Sequence, residues 1–348
     1  MGELYDRVYD FENLYEAYRL TARGKRTDPE KLAFEMNLGS NLAELSQRLE
    51  ERTYYPEGHR CFMVYEPKQR LIHASAFPDR IVQHSLCDNV LREYLDPRLV
   101  YDCAACRKGK GTHFAIRRLT GFLTDFYKHH GTDGYFLKID IRKYFDNIDH
   151  EILKGLFKDF PDEDVRELIC RIIDSYETEE GKGLPLGNQS SQWFALYYLD
   201  RIDREIKEKL RIRYYTRYMD DMVLIHESKT WLKEVLRRLE NIAREERKLS
   251  FNEKTQVFPL SQGADYLGWH FYLTDTGKVI RKLRTGSKRR LKKRIKAYKK
   301  GYAEGSREFS GIVSGIVSTE AHLAHGHTYA LRRKMHSELR FHRLPQEE

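Results

Sequence analysis

Two adjacent aspartates sit inside the run Ile212-Arg213-Tyr214-Tyr215-Thr216-Arg217-Tyr218-Met219-Asp220-Asp221-Met222-Val223-Leu224-Ile225. Strand-forming residues flank the pair on both sides, so the pattern predicts a hairpin with Tyr218 to Asp221 at its tip. Paired carboxylates there repel each other, and partial desolvation penalises the ionised form. A bound divalent cation relieves both costs, because Mg²⁺ prefers hard carboxylate oxygens. A third acid closes another strand-like run, Tyr135-Phe136-Leu137-Lys138-Ile139-Asp140-Ile141. A strand ending in one acid, beside a hairpin tipped with two, suits two-metal phosphoryl transfer. The competing reading is a solvated turn, but four apolar residues follow the pair directly.

The surrounding elements must hold those acids in place. Residues 1–52 read as helical, with Leu42, Leu45 and Leu49 at helix spacing. Residues 60–76 predict a hairpin turning at Glu66-Pro67-Lys68-Gln69. Residues 79–96 carry a broad apolar stripe of Ile81, Val82, Leu86, Val90, Leu91 and Tyr94. A loop at Lys108-Gly109-Lys110-Gly111-Thr112 leads to a helix near 113–130 and then to the strand ending at Asp140. Helix is predicted again over 149–176 and 190–210, the latter with Trp193, Leu196, Leu199 and Ile202 on one side. Residues 230–248 form an amphipathic helix, and short strands follow near 250–258 and 265–273. This order implies an α+β fold, an antiparallel sheet with helices on one face.

The chain has 348 residues, enough for two or three structural units. Its net charge of +9 favours a polyanionic partner. Basic residues concentrate over 278–302, which contains no acid. There Leu291, Ile295 and Tyr298 fall at helix spacing, so one face packs and the rest is charged. We read a helix lying along a nucleic-acid backbone, with Arg289, Arg290, Lys293 and Arg294 as contacts. Five cysteines at irregular spacing form no disulfide framework and imply a reducing compartment, expected to be the cytoplasm. Cys103-Ala-Ala-Cys106 has half a zinc-site spacing, but no second pair completes it. His322, His325 and His327 have the look of metal ligands, but no acidic or cysteine residue is obvious beside them in the sequence, and they read as surface or RNA-contacting residues. No signal peptide and no membrane-spanning run is expected.

The motifs resemble those of reverse transcriptases, in the family's order, over nearly the whole chain. Arg70 through Asp79-Arg80-Ile81-Val82-Gln83 resembles the fingers segment of group II intron-type enzymes. Arg107-Lys108-Gly109-Lys110-Gly111-Thr112-His113 occupies the place of the next fingers motif. Asp140-Ile141-Arg142-Lys143-Tyr144-Phe145, Gly187-Asn188-Gln189-Ser190-Ser191-Gln192 and Tyr218 to Asp221 resemble successive palm motifs. Lys254 stands where a palm lysine is expected, and Tyr266-Leu267-Gly268-Trp269 resembles the primer-grip turn. Most relatives read Gln-Gly-x-x-x-Ser-Pro in the middle palm motif; here Leu186 replaces the Gln and Gln192 the Pro. That variant, with the Lys-Gly-Lys-Gly-Thr-His loop, is similar to reverse transcriptases of diversity-generating retroelements.

The resemblance implies a right-hand polymerase: N-terminal helices and fingers over 1–134, palm over 135–277, basic helical thumb over 278–348. It implies two Mg²⁺ ions on Asp140, Asp220 and the Ile141 carbonyl, with Asp221 nearby. Lys68, Arg70 and Arg80 become candidate triphosphate contacts, since guanidinium groups bond phosphate in a bidentate way. Phe145 would block a ribonucleotide 2′-hydroxyl, and Leu186, Gly187, Gln192 and Lys254 would line the nucleotide site. Leu267, Gly268 and Trp269 would grip the primer, and Arg107, Lys108 and Lys110 would contact nucleic acid. The implied partners are template RNA, the primer or cDNA strand, deoxynucleoside triphosphates and a small basic oligomeric accessory protein. The implied activity copies a template-repeat RNA into cDNA with errors opposite adenine, for mutagenic retrohoming. The rivals are a group II intron-like, retron or antiviral reverse transcriptase, and a catalytically silent RNA-binding scaffold.

Overall fold

Helices α1 (Glu3–Tyr9), α2 (Phe11–Ala22), α3 (Pro29–Glu35) and α4 (Leu38–Glu50) open the chain. This computed structural model describes residues 2–65 and 69–343. Asp10 and Asp28 cap α2 and α3 by accepting from the amides of Asn13 and Glu30. The Leu42, Leu45 and Leu49 stripe of α4 is buried, as its spacing predicts. Strands β1 (His59–Val64) and β2 (Arg70–Ser75) pair antiparallel, with Cys61 opposite His73 and His59 opposite Ser75. The turn expected at Glu66–Lys68 lies outside the described residues.

Helix α5 (Phe77–Leu86) passes through a π-helical turn, Cys87–Leu91, into α6 (Arg92–Leu95), so the helix predicted over 79–96 is continuous but not α-helical throughout. Then come α7 (Thr112–His130), β3 (Tyr135–Ile139), α8 (His150–Gly155) and α9 (Glu163–Asp174). The single helix expected over 149–176 is therefore two. Pro161 cannot donate to a helix ladder, and Asp162 starts α9 afresh by capping the Val165 amide. The helix expected over 190–210 is likewise divided, into α10 (Gln189–Tyr198), α11 (Asp200–Arg204) and a π-helical turn at Glu205–Lys209.

Strands β4 (Tyr215–Tyr218) and β5 (Asp221–His226) follow, then α12 (Lys229–Arg247) and β6 (Gln256–Pro259). The sheet order is β4-β5-β3-β6. Only residues from Gln256 onward form the strand predicted over 250–258; Phe251 contributes an isolated bridge to Ile141. Strands β7 (Ala264–Tyr266), β8 (Trp269–Leu273) and β9 (Val279–Leu283) make an antiparallel sheet of their own. The basic stretch thus opens with a strand, and its helix α13 starts at Thr285 (Thr285–Ala303), followed by α14 (Phe309–Ala324) and α15 (Tyr329–Glu338). The α+β expectation holds: helices with antiparallel sheets.

Two compact units divide the chain. The first comprises Met1–Ala115, Ile139–Val223 and Lys233–Thr255. Its core includes residues of α5, α9 and α10, with Ile81, Leu86, Ile169, Trp193 and Phe194 buried. The second comprises Ile116–Lys138, Leu224–Leu232 and Gln256–Glu348, with Phe126, Trp269 and Phe271 buried. No helix among the described residues is long and apolar enough to cross a membrane.

Candidate active site

Asp140 follows β3 directly and is held through its backbone. Its amide donates to Thr255 Oγ1 at 3.2 Å, and its carbonyl accepts from the Asn252 amide at 2.7 Å and from the Thr255 hydroxyl at 3.2 Å. The neighbouring Arg142 amide donates to the Ser250 carbonyl at 3.0 Å. The turn at Asn252–Thr255, where a longer strand was expected, is what clamps the acid.

The β4–β5 turn places Asp220 just before β5. Met219 takes a left-handed φ of 56° there, a conformation costing a non-glycine residue about 1–3 kcal/mol unless its surroundings impose it. Arg217 does so. Its Nη1 donates to the Met219 carbonyl at 3.0 Å and its Nη2 to the Leu196 carbonyl at 3.2 Å. The rest of the guanidinium pairs with Asp203 on α11, with Nε 2.8 Å from Oδ1. Both side chains are 0% exposed. Tyr215 also donates its hydroxyl to Asp203. Asp203's charge holds the Arg217 pKa up against the effect of burial. A buried ion pair of this kind is costly to break from one side, about 3–5 kcal/mol. Nothing in the residue spacing announces this pair; its one signal is a charged residue inside an apolar strand run.

Burial raises the Asp220 pKa, and the like charge of Asp140 pushes it the same way, while Arg70 and Arg217 pull it down. Asp140, Asp220 and Arg70 therefore share one electrostatic environment. Asp221 is the first residue of β5, where successive side chains alternate faces. Among the described residues no three His, Cys, Asp or Glu side chains stand together as a ready-made metal cluster. Asp140 and Asp220 act on each other through their charges, and Asp221 follows Asp220 at the first position of β5. A partly buried Asp220 beside the like charge of Asp140 is a donor set that a hard divalent cation stabilises, so these residues fit Mg²⁺.

Phe145 starts a single 3₁₀ turn and is half-exposed, while its neighbour Tyr144 is buried and donates to the Ala195 carbonyl. The Phe145 carbonyl accepts from the Leu184 amide at 2.9 Å, tying it to the Leu184–Gly187 loop. Gly187 has a φ of 115°, and a Cβ there would lie 3.5 Å from Ile72 of β2. Glycine supplies the backbone freedom that this turn requires. Leu186 is half-exposed; Gln192 accepts from the Cys106 thiol at 2.8 Å. Arg70 and Lys254 are exposed.

Other expected contacts are spent internally. Arg107 is corrected from a nucleic-acid contact to a loop organiser: its side chain is 7% exposed and donates to the Asp96 carboxylate and to the carbonyls of Asp96, Val100 and Cys103. Arg80 pairs with Glu30 and Asp28 and lies over the Phe77 ring. Lys110 donates to the Tyr101 carbonyl at 2.7 Å, whereas Lys108 is exposed. Lys68 lies outside the described residues. Asp79, inside the same motif as Arg80, is buried and accepts from Tyr54 and the Glu57 amide; burial lifts its pKa to about 6.

In the second unit, Leu267 and Gly268 have φ of 48° and 88°, forming the two-residue turn between β7 and β8. Both are half-exposed, but Trp269 is buried, its ring centroid 5.3 Å from that of His322 in a tilted pair, with Gly326 close against its ring. Trp269 therefore anchors the turn from beneath and does not itself present a surface to a strand of nucleic acid. On α13, Leu291 and Ile295 are buried and Arg289, Arg290, Lys293 and Arg294 are exposed.

The sequence model of the reverse transcriptase (RNA-dependent DNA polymerase) family matches residues 66–271. Group II intron-encoded protein LtrA of Lactococcus lactis subsp. cremoris is 22% identical over 262 residues, 72% of this chain and 42% of its own length. The chain thus spans less than half the length of that relative. Among solved structures, apo telomerase from Candida tropicalis matches with a TM-score of 0.48 and 16% identity, covering 65% of this chain and 49% of that one. Telomerase from Candida albicans with a fragment of telomeric RNA matches with a TM-score of 0.49 and 11% identity, covering 74% and 50%.

Proposed function

The chain belongs to the reverse transcriptase family, with its right-hand polymerase fold, and from that premise we propose that it copies RNA into DNA. The observation that carries the proposal is the coupling of Asp140 and Asp220, two acids from separate elements whose charges act on each other in a partly desolvated site. Two Mg²⁺ ions on Asp140, Asp220 and the Ile141 carbonyl would lower the pKa of the primer 3′-hydroxyl and neutralise charge on the triphosphate. Asp221 would serve as an outer partner. The primer 3′-hydroxyl would give its proton to solvent, its oxygen would attack the α-phosphorus in line, and the bond to the bridging oxygen would break so that pyrophosphate departs.

The protein's own part is mainly positioning. Arg70 offers a fork of donors to the triphosphate. Phe145 fills the space a 2′-hydroxyl would need. Leu186, Gly187, Gln192 and Lys254 border the nucleotide, and the Leu267–Gly268 turn steadies the primer end. Arg289, Arg290, Lys293, Arg294 and Lys108 bind phosphates along the template–primer. In this reading residues 1–134 are fingers, 135–277 palm and 278–348 thumb. A DNA primer on an RNA template, with all four deoxynucleotides and Mg²⁺, tests it. Extension that disappears in Asp220→Asn supports the proposal; extension that persists at the wild-type rate in that variant removes it.

The finer reading is a diversity-generating enzyme, acting with a small basic oligomeric accessory protein. Leu186 supports it, because leucine offers the nascent pair apolar surface and no hydrogen-bond donor. Leu186→Gln, alone or with Gln192→Pro, is expected to lower misincorporation opposite template adenine by about tenfold, the worth of one well-placed buried hydrogen bond. An unchanged error spectrum on an adenine-containing RNA template would place the infidelity elsewhere.

A further inference from the structure

Four polar side chains are buried together beneath the Leu184–Gly187 loop. Ser75, Gln83, Asn188 and Ser190 are each 1–2% exposed. They come from three elements: the end of β2, the middle of α5 and the start of α10. Asn188 is the N-cap residue of α10, yet its side chain makes no capping bond. Its amide nitrogen donates instead to Ser75 Oγ at 2.6 Å, and its oxygen accepts from the Ser75 amide at 3.4 Å. An asparagine that gives up its own helix to bind another strand is doing so for position.

Gln83 completes the set. Its nitrogen donates to Ser75 Oγ at 3.1 Å, and its oxygen accepts from the Ser190 hydroxyl at 3.1 Å. Two amide donors thus occupy the lone pairs of Ser75 Oγ. His59 Nε2 lies 3.1 Å from the same Oγ across the β1–β2 pair and closes the network on that side. Every side chain in this chain of bonds finds a partner within it, and buried polar networks that are fully satisfied hold their members rigidly.

What this network holds is the contact of the loop with β2. Gly187 immediately precedes Asn188 and abuts Ile72, three residues before Ser75. Arg70 lies at the start of the same strand. We propose that Ser75, Gln83, Asn188 and Ser190 are positioning residues that fix Leu186 and Gly187 against the Arg70 strand, and so set nucleotide affinity and the strictness of base-pair selection. This rests on the polymerase reading above. None of the four touches the reacting atoms; they act through the residues that border the nucleotide.

The test compares Ser75→Ala, which deletes the hub hydroxyl with little change in volume, with Ser75→Thr, which keeps it. Ser190→Ala, which cuts only the outermost bond, serves if Ser75→Ala fails to fold. Correct and mismatched deoxynucleotides are titrated in primer extension on RNA, alongside template–primer affinity and melting temperature. Ser75→Ala is expected to raise the KM for the correct nucleotide about tenfold, from the partners left unpaired, with kcat and template–primer affinity near wild type. The ratio of mismatched to correct incorporation should shift as well, and Ser75→Thr should restore both. A folded Ser75→Ala or Ser190→Ala with wild-type KM and error ratio overturns the proposal. So does a parallel fall in kcat, template affinity and melting temperature with KM unmoved, which marks a purely structural role. Wild-type protein that extends no primer overturns the polymerase reading and the network's role with it; an active wild type with an unmoved KM overturns the network alone.

Discussion

Arg217 and Arg289 are the same residue type in opposite settings. Arg217 is fully buried, paired with Asp203 and bonded to the carbonyls of Met219 and Leu196. Arg289 is exposed on a helix whose buried face is Leu291 and Ile295. The first is spent on the protein itself, fixing a strained turn that carries an acid. The second presents its charge to solvent, where a polyanion can displace counterions. The environment of a charge, more than its sign, decides whether it builds a site or recruits a ligand. Arg107 makes the same point, since its donors are consumed by its own loop.

The contrast can be broken most sharply at the acid that the buried pair supports. Asp220→Asn is expected to cut primer extension by at least about a thousandfold, the loss of several kcal/mol of charge stabilisation. Template binding should stay near wild type. In chelator the same variant should be the more stable at neutral pH. Burial and Asp140 raise the Asp220 pKa, so its contribution to stability is present at low pH and is lost as pH rises through the folded-state value. Melting curves in EDTA across that range should show the wild type losing ground to the variant. A wild type that gains on the variant with rising pH would contradict the assignment.

Arg217→Met comes next. It strands Asp203 in the core and should cost about 3–5 kcal/mol in denaturant unfolding. Adding Asp203→Leu should recover much of that stability but not activity, because the Met219 carbonyl still lacks its donor. If the single variant costs less than about 1 kcal/mol, the pair does not behave as buried.

The basic helix should answer differently. Neutralising Arg289, Arg290, Lys293 and Arg294 to glutamine should leave unfolding free energy within about 0.5 kcal/mol, as for ordinary surface changes. Template–primer affinity should fall across all sequences. The slope of log K against log salt should flatten by roughly 0.7–0.9 per lost phosphate contact. An identical slope would mean that this face meets no phosphate.

The smallest effect tests a residue between the two extremes. Phe145 is half-exposed beside buried Tyr144. Phe145→Ala should weaken discrimination against ribonucleotides by about tenfold, as for a pocket losing bulk, with little change in stability. Unchanged sugar preference in a folded variant would make Phe145 a packing residue.

Residue pattern alone was enough for most element types, the apolar stripes and the candidate acids. Alternation around Asp220 and Asp221 marks strands, and the leucines of α4 mark a buried helix face, because side-chain direction follows backbone period. The basic helix was legible for the same reason: Leu291 and Ile295 recur at one turn, and the charges fill the other faces. Breaks inside elements were harder. Pro161 could have divided α8 from α9, but the π-helical turns at Cys87–Leu91 and Glu205–Lys209 have no such punctuation. Which polar groups meet was settled by packing across the chain. Asp203 and Arg217 are 14 residues apart, and Ser75 and Asn188 are 113 apart. Whether Arg80 faces a triphosphate or Glu30, and whether Trp269 grips a strand or supports a turn, depends on what the rest of the chain brings beside it. Hydrogen bonds and ion pairs are short-range and directional, so local pattern leaves them open and packing closes them.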